Sequence, residues 1–234
     1  SHRIRALAPD IAIAHVETRS TGAGYGHLPV RLYRDQADKV TPAILYFHGG
    51  GHVIGGLDSH DLVARSLAQR TGFTVVSVDY RMAPEFPYPA AVQDSFAALR
   101  WLRDHATELK LAPTRIAVAG ASAGGNPATV CALIARDAGT PVAAQALGYP
   151  VIDYRGGTAS SETYATGYGG LESETVAWFM SHYLPDPERR DDWQACPANA
   201  DVTGLPPTFM VLAECDVLID ESRAYAQQMR DAGV

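Results

Sequence analysis

The chain has 234 residues, of which 47% are hydrophobic and 19% are charged. This composition excludes a disordered, collagen-like or coiled-coil chain, and the length suits one α/β domain spanning residues 1–234. The 19 basic and 26 acidic residues give a net charge of −7, and no run of Lys or Arg could follow a phosphate backbone. We therefore expect no nucleic acid among its partners.

The first predicted elements form a hairpin. The stretches His15-Val-Glu-Thr18 and Val30-Arg-Leu-Tyr33 alternate around Gly22-Ala-Gly-Tyr-Gly26. This pattern predicts an antiparallel hairpin at the edge of a sheet. The glycines indicate a turn and not a dinucleotide-binding loop, because no buried strand precedes them.

Buried strands and amphipathic helices alternate along the rest of the chain. Short apolar runs predict buried strands at residues 43–47, 74–79, 116–119, 144–149 and 208–213. Apolar residues at helical spacing predict helices around residues 63–67, 92–102 and 225–229. Apolar strands joined by helices are typical of crossover units, so we predict an α/β fold whose mostly parallel central sheet is covered by helices on both faces.

Residues 153–200 interrupt this alternation. The segment is rich in Gly, Ser, Thr, Pro and Asp, with one helical stretch near Glu172 to Tyr183. We predict an excursion over the sheet that forms a partial lid.

A candidate nucleophile lies in Gly120-Ala-Ser122-Ala-Gly124, which matches the pattern G-x-S-x-G. A predicted buried strand precedes it and a helix of small residues follows it, as a nucleophilic serine on a sharp strand-to-helix turn requires. The two glycines leave room for the turn and for an approaching substrate. Ser122 is therefore the predicted nucleophile.

A second glycine-rich segment, His48-Gly-Gly-Gly51, follows an earlier strand. The backbone N–H groups of Gly50, Gly51 and Ala123 could converge on a developing oxyanion. A phosphate loop is excluded because the Lys and Ser/Thr of that pattern are missing. His48 and His52 have the spacing of a metal pair, but the glycines between them disfavour a helix.

The acid of a catalytic triad is expected on the turn after a late strand. Asp216 follows the strand predicted at 208–213 and could accept the Nδ1–H of a histidine. Asp220 is the alternative, although its position before a helical stretch favours a role as helix N-cap.

Together these residues resemble the hormone-sensitive-lipase-like branch of the α/β-hydrolase carboxylesterases over about residues 28–234. Besides the two glycine motifs, the resemblance is carried by these stretches: Val53-Ile-Gly-Gly56, Val78-Asp-Tyr-Arg-Met-Ala-Pro-Glu85, Pro87-Tyr-Pro-Ala-Ala-Val-Gln-Asp94, Leu205-Pro-Pro207 and Ala213-Glu-Cys-Asp216. The resemblance implies the α/β-hydrolase fold and hydrolysis of short- to medium-chain acyl esters, without a metal or cofactor. It assigns Ser122 as nucleophile, Asp216 as acid, and Gly50, Gly51 and Ala123 as oxyanion-hole donors.

The sequence departs from the family in three ways, at Ala121, at Pro127 and in its histidines. Pro127 follows Asn126 in the helix after Ser122, where it must lie near the first turn or a backbone hydrogen bond is lost. Ala121 stands where relatives commonly have Asp, which removes one supporting polar contact. Relatives carry the catalytic His after one further strand, whereas no His follows His182 here; we therefore expect the base beyond Val234. The cap helices of relatives are likewise expected to precede residue 1. We predict that the other histidines are solvated or cap helices: His2, His15, His27, His60, His105 and His182.

The predicted function is that of a serine carboxylesterase acting on a small ester through an acyl-enzyme intermediate, and residues 1–234 alone would lack full activity. The alternative is a non-catalytic, receptor-like protein that binds a small ligand on the same scaffold with an incomplete triad.

The family resemblance also implies a possible homodimer through a sheet edge. Cys131, Cys196 and Cys215 lack C-x-x-C spacing, which favours a reducing cytoplasm. The longest uncharged stretch, residues 116–135, is too polar and broken for membrane insertion.

Overall fold

The computed structural model describes residues 11–168 and 171–234. Within these ranges, seven strands form one sheet in the order β1-β2-β4-β3-β5-β6-β7. The strands are β1 (His15–Ser20), β2 (Pro29–Arg34), β3 (Thr41–Phe47), β4 (Thr74–Val78), β5 (Leu111–Ala121), β6 (Ala144–Gly148) and β7 (Thr208–Val211).

The sheet is mixed but mostly parallel, which confirms the predicted fold class. β1 pairs antiparallel with β2, and β2 pairs antiparallel with β4, whereas β4, β3, β5, β6 and β7 are parallel neighbours. The predicted hairpin therefore lies at one edge of the sheet. Its turn contains Gly22 and Gly26 at φ values of 82° and 84°, a conformation that glycine adopts without steric cost.

Helices occupy the predicted intervals, and one short helix at residues 159–163 was not predicted. They are α1 (Asp61–Thr71), α2 (Ala90–Asp104), α3 (Gly125–Asp137), α4 (Ala159–Thr163), α5 (Ser173–Tyr183) and α6 (Ile219–Asp231). Pro127 is the third residue of α3, where the backbone N–H that proline lacks would have no helical partner. β5 begins at Leu111, five residues earlier than predicted, because Leu111 pairs with Thr41 beyond a register shift in β3.

Both faces of the sheet are covered at its central strands. On β3, Ile44 and Tyr46 pack in one apolar cluster with Ala64 and Ala68 of α1. The alternate residues of β3, Ala43, Leu45 and Phe47, belong to a larger cluster with apolar residues of α2 and α3. Successive strand residues point to opposite faces, so these two clusters place helices on both sides of the sheet.

The segment predicted as a partial lid contains α4 and α5, followed by two short 3-10 turns, Pro187–Asp191 and Pro197–Asn199. Its limits at residues 153 and 200 stay a prediction. At the edge opposite the hairpin, β7 exposes Phe209 and Val211. Pairing of two copies through a sheet edge also stays a prediction. In the described part of the chain, no helix combines the length and apolar character needed to cross a membrane.

Candidate active site

Ser122 lies on a sharp turn between β5 and α3. β5 ends at Ala121, a 3-10 turn spans Ser122–Gly124, and α3 follows directly. The φ angle of Ser122 is 54°, a left-handed conformation that a residue with a side chain rarely adopts. A Cβ at Gly120 would collide with the backbone of Gly124. The turn therefore requires glycine at Gly120 and holds Ser122 in a strained conformation, as the G-x-S-x-G pattern predicts.

The loop after β3 packs directly against this turn. A Cβ at Gly124 would collide with the carbonyl oxygens of Phe47 and His48. A Cβ at Gly49 would lie 2.9 Å from the carbonyl oxygen of Ala121. Contacts this close exclude any side chain at Gly49 or Gly124, so the glycines bring the two loops together.

Gly50 and Gly51 form a tight turn with φ angles of 126° and 63°. The carbonyl oxygen of Gly50 accepts the N–H groups of Val53 and Ile54 at 3.0 and 2.9 Å. Within residues 11–168 and 171–234, neither Gly50 nor Gly51 uses its own N–H in a hydrogen bond to the protein. These N–H groups are consequently available to a ligand.

One pocket of about 540 Å³ brings together Ser122, Gly50, Gly51 and Ala123. Thus the structure juxtaposes the predicted nucleophile with all three predicted oxyanion donors. The apolar part of the pocket comes largely from α5 and from the loops after β6 and β7. Its larger apolar members are Val151, Leu171, Val176, Phe179, Met180 and Leu218.

Asp216 lies beside this pocket but does not line it. The two residues that follow it, Val217 and Leu218, line the pocket, whereas Asp216 lines a small adjoining recess with Tyr149 and Ser222. The carboxylate Oδ1 accepts the N–H of Leu218 at 3.0 Å, which holds the loop before α6. The structure therefore places Asp216 next in the chain to residues that share the pocket with Ser122, and no hydrogen bond joins the Asp216 and Ser122 side chains.

The prediction that Asp220 caps its own helix is wrong. The cap residue of α6 is Leu218, and Asp220 lies in the first turn. The carboxylate Oδ2 of Asp220 instead accepts the N–H of Ser160 at 2.8 Å. Asp220 thus joins α6 to α4.

The histidines of the glycine-rich loop are structural and neutral. His48 stacks on Tyr80 with ring centroids 4.4 Å apart, and its carbonyl oxygen accepts the Tyr80 hydroxyl at 2.7 Å. His52 stacks on Tyr183 with centroids 3.8 Å apart. Burial lowers the pKa of both rings, that of His52 to about 3. In the described parts of the chain, no cluster of three or more His, Cys, Asp or Glu side chains could hold a metal ion.

None of the other histidines within the described residues lines the pocket that contains Ser122. His15 and His27 are exposed, as predicted, and His105 is the C-cap residue of α2 and contacts the carbonyl oxygen of Trp101. His60 occupies the N-cap position of α1, but its side chain makes no capping bond, and burial lowers its pKa to about 4. His182 packs against Trp178 on α5. His2 lies outside the described residues.

Glu221 is a pocket residue that the sequence analysis missed. It lies in the first turn of α6, and its Oε1 accepts the N–H groups of Ile152 and Asp153 at 2.9 and 3.3 Å. Burial raises the pKa of Glu221 to about 8, although the two N–H groups act in the opposite direction. The only sign of it in the sequence is a pair of acidic residues at the start of a helix. Such residues usually lie in solvent, where they interact favourably with the helix dipole.

Comparison with known proteins gives consistent matches. A family model described as the alpha/beta hydrolase fold matches residues 44–234. Carboxylesterase NlhH of Mycobacterium tuberculosis is 43% identical over 241 residues, covering 97% of this chain and 72% of the relative. Ethyl acetate hydrolase of Pseudomonas putida is 41% identical, covering 89% of this chain and 68% of the relative. EstE1, a thermophilic carboxylesterase cloned from a metagenomic library, superposes with a TM-score of 0.94 at 41% identity, covering 98% of this chain and 79% of that one.

Proposed function

Because the chain belongs to the α/β-hydrolase fold family, in its hormone-sensitive-lipase-like carboxylesterase branch, and is a carboxylic ester hydrolase, we propose that Ser122 is its nucleophile. The observation that supports this proposal is that Ser122 has a strained backbone conformation and lines one pocket with Gly50, Gly51 and Ala123. A receptor-like, non-catalytic role is not favoured, because the relatives described above are named as esterases.

The proposed reaction proceeds through an acyl-enzyme. The Ser122 Oγ attacks the ester carbonyl carbon, and the N–H groups of Gly50, Gly51 and Ala123 stabilise the resulting oxyanion. The alcohol leaves with a proton, and water then releases the acid. Glycine turns fix these donors before substrate binds, so little reorganisation is needed when charge develops.

We propose that Asp216 accepts the Nδ1–H of the histidine that serves as general base and so orients that ring. Asp216 follows the last described strand, and the next two residues, Val217 and Leu218, line the pocket. In contrast, His48 and His52 are buried in aromatic stacks, and burial lowers their pKa, which makes both poor bases.

The proposed substrates are neutral esters with short- to medium-chain acyl groups. A pocket of about 540 Å³ lined by Val176, Phe179 and Met180 suits a small apolar chain. A relative named ethyl acetate hydrolase supports the short end of this range. Within a single domain spanning residues 1–234, the segment at residues 153–200 would act as a partial lid over the sheet. The exposed free thiol of Cys215 supports a reducing cytoplasmic location.

Covalent labelling tests the proposed nucleophile. A fluorophosphonate incubated with the full-length protein should label Ser122, located by peptide mass spectrometry, and p-nitrophenyl butyrate should give a burst. Ser122→Ala should abolish both, whereas Ser181→Ala, an exposed serine on α5, should retain both. Labelling at another residue, or turnover by Ser122→Ala close to that of the unmodified protein, would refute the assignment.

A further inference from the structure

We propose that Glu221 is a positioning residue that joins the loop of the nucleophile to the loop of the acid. This inference rests on the proposed function, because it assigns a role relative to Ser122 and Asp216. The connection passes through residues 150–153, the segment that follows β6.

The segment at residues 150–153 is bonded to the nucleophile turn on one side. The N–H of Val151 donates to the carbonyl oxygen of Ser122 at 3.1 Å. The Nδ2 of Asn126, in the first turn of α3, donates to the carbonyl oxygen of Val151 at 3.3 Å. A Cβ at Gly125 would meet the Cβ of Pro150, so the turn and the segment are also in steric contact.

The same segment is bonded to α6 on the other side. Glu221 accepts the N–H groups of Ile152 and Asp153, and the neighbouring Ser222 donates its hydroxyl to the carbonyl oxygen of Pro150 at 3.0 Å. Glu221 follows Asp216 by five residues, through a loop that Asp216 itself caps. The Glu221 carboxyl therefore ties the acid loop to the segment that carries the nucleophile's partner, Val151.

The charges around Glu221 explain why its protonation matters. Asp153 faces it from the segment after β6 and is paired with Arg155, while Asp216 faces it from the loop after β7. The buried groups nearby, Tyr154 and Cys196, have pKa values raised above their ordinary range by burial. At neutral pH Glu221 is mainly protonated, and its carbonyl oxygen accepts the two N–H groups without adding a charge to this acidic surrounding.

Two variants of the full-length protein test this role. Glu221→Ala removes the acceptor, so we expect kcat to fall by about 10- to 100-fold, with a smaller change in KM, because small misplacements of reacting groups are costly. Glu221→Gln keeps a carbonyl acceptor, so kcat at pH 7 should stay near that of the unmodified enzyme. Ionisation of Glu221 near pH 8 should contribute a fall of kcat on the alkaline side, and Glu221→Gln should lack that fall.

The matched control is Asp231→Asn, an acid-to-amide change at the exposed end of the same helix. It should leave kcat and the pH profile unchanged. The proposal is overturned if Glu221→Ala has the kcat of the unmodified enzyme, or if kcat falls as much in Glu221→Gln as in Glu221→Ala. It is also overturned if kcat of Glu221→Gln and of the unmodified enzyme depend on pH in the same way above pH 7. If Glu221→Ala fails to fold, the pH dependence of kcat in Glu221→Gln still tests the proposal. Fluorophosphonate labelling of Ser122 in the unmodified protein separates these outcomes from a failure of the proposed function.

Discussion

The backbone N–H of Val151 donates to the carbonyl oxygen of Ser122 at 3.1 Å, so the segment that follows β6, the strand next to β5, holds the turn that contains Ser122. β6 pairs with β5, and the chain leaving β6 passes directly beside Ser122. This bond helps to keep Ser122 at a φ angle that its side chain disfavours. The strain and the hydrogen bonds that oppose it lead to the first prediction.

Relief of backbone strain should be measurable at Ser122. We expect Ser122→Gly to be more stable than Ser122→Ala by about 1 kcal/mol, because glycine adopts a φ angle of 54° without a Cβ penalty. Urea unfolding of the two variants measures the difference. Ser181 lies inside α5, so there the alanine variant should be more stable than the glycine variant, since glycine destabilises a helix by about 1 kcal/mol relative to alanine. Equal stability of the two Ser122 variants would show that the turn is unstrained.

The packing of Phe179 against Gly51 predicts a coupled pair. Gly51→Ala should lower the free energy of unfolding by about 1–3 kcal/mol, because its Cβ would overlap the ring of Phe179. Removing that ring with Phe179→Ala should recover part of the loss, and a double-mutant cycle measures the coupling.

Gly139→Ala separates backbone strain from overlap. Gly139 has a φ angle of 69°, close to the 63° of Gly51, but a Cβ there meets nothing within 4 Å. The free energy of unfolding lost in Gly139→Ala should therefore reflect backbone strain alone, and this loss should stay the same when Phe179 is replaced. A zero coupling energy between Gly51 and Phe179 would contradict the packing argument.

The two candidate acids should give different phenotypes. We expect Asp216→Asn to lower kcat by about 10⁴-fold, because an asparagine cannot hold a histidine in the required tautomer or stabilise its charged form. Asp220→Asn weakens the bond to the Ser160 N–H, so it should lower stability by about 1 kcal/mol while changing kcat little. Steady-state kinetics and thermal unfolding distinguish them. A kcat loss in Asp220→Asn as large as that in Asp216→Asn would reverse the assignment.

Protonation of Glu221 should appear in the pH dependence of stability. Its pKa is about 8 in the folded chain and near 4.5 when unfolded, so the folded state binds more protons between these values. Stability from this group is complete below about pH 4.5 and is lost as pH rises through about 8. Relative to the unmodified protein, Glu221→Gln should thus be more stable at pH 9 than at pH 5. A difference in unfolding free energy that does not vary with pH would contradict the raised pKa.

Much of the architecture could be predicted from local patterns. The apolar runs and the helical spacing correctly indicate a mostly parallel sheet with an antiparallel edge hairpin, because period and residue type act within a few residues of sequence. The errors occur at the element ends. β5 begins earlier than predicted because Leu111 pairs with Thr41, an interaction between residues 70 positions apart that no local window contains.

The sequence by itself determined the sharp turn at Ser122, since the spacing of Gly120 and Gly124 is a requirement of that turn and is visible in five residues. Only the tertiary structure decided the roles of Asp220 and Glu221, neighbours in one helical turn. Asp220 joins α4, whereas Glu221 accepts N–H groups beside the nucleophile's loop and has a raised pKa. Their sequence context is almost the same, but burial and hydrogen-bond partners depend on which distant segments pack against each side chain.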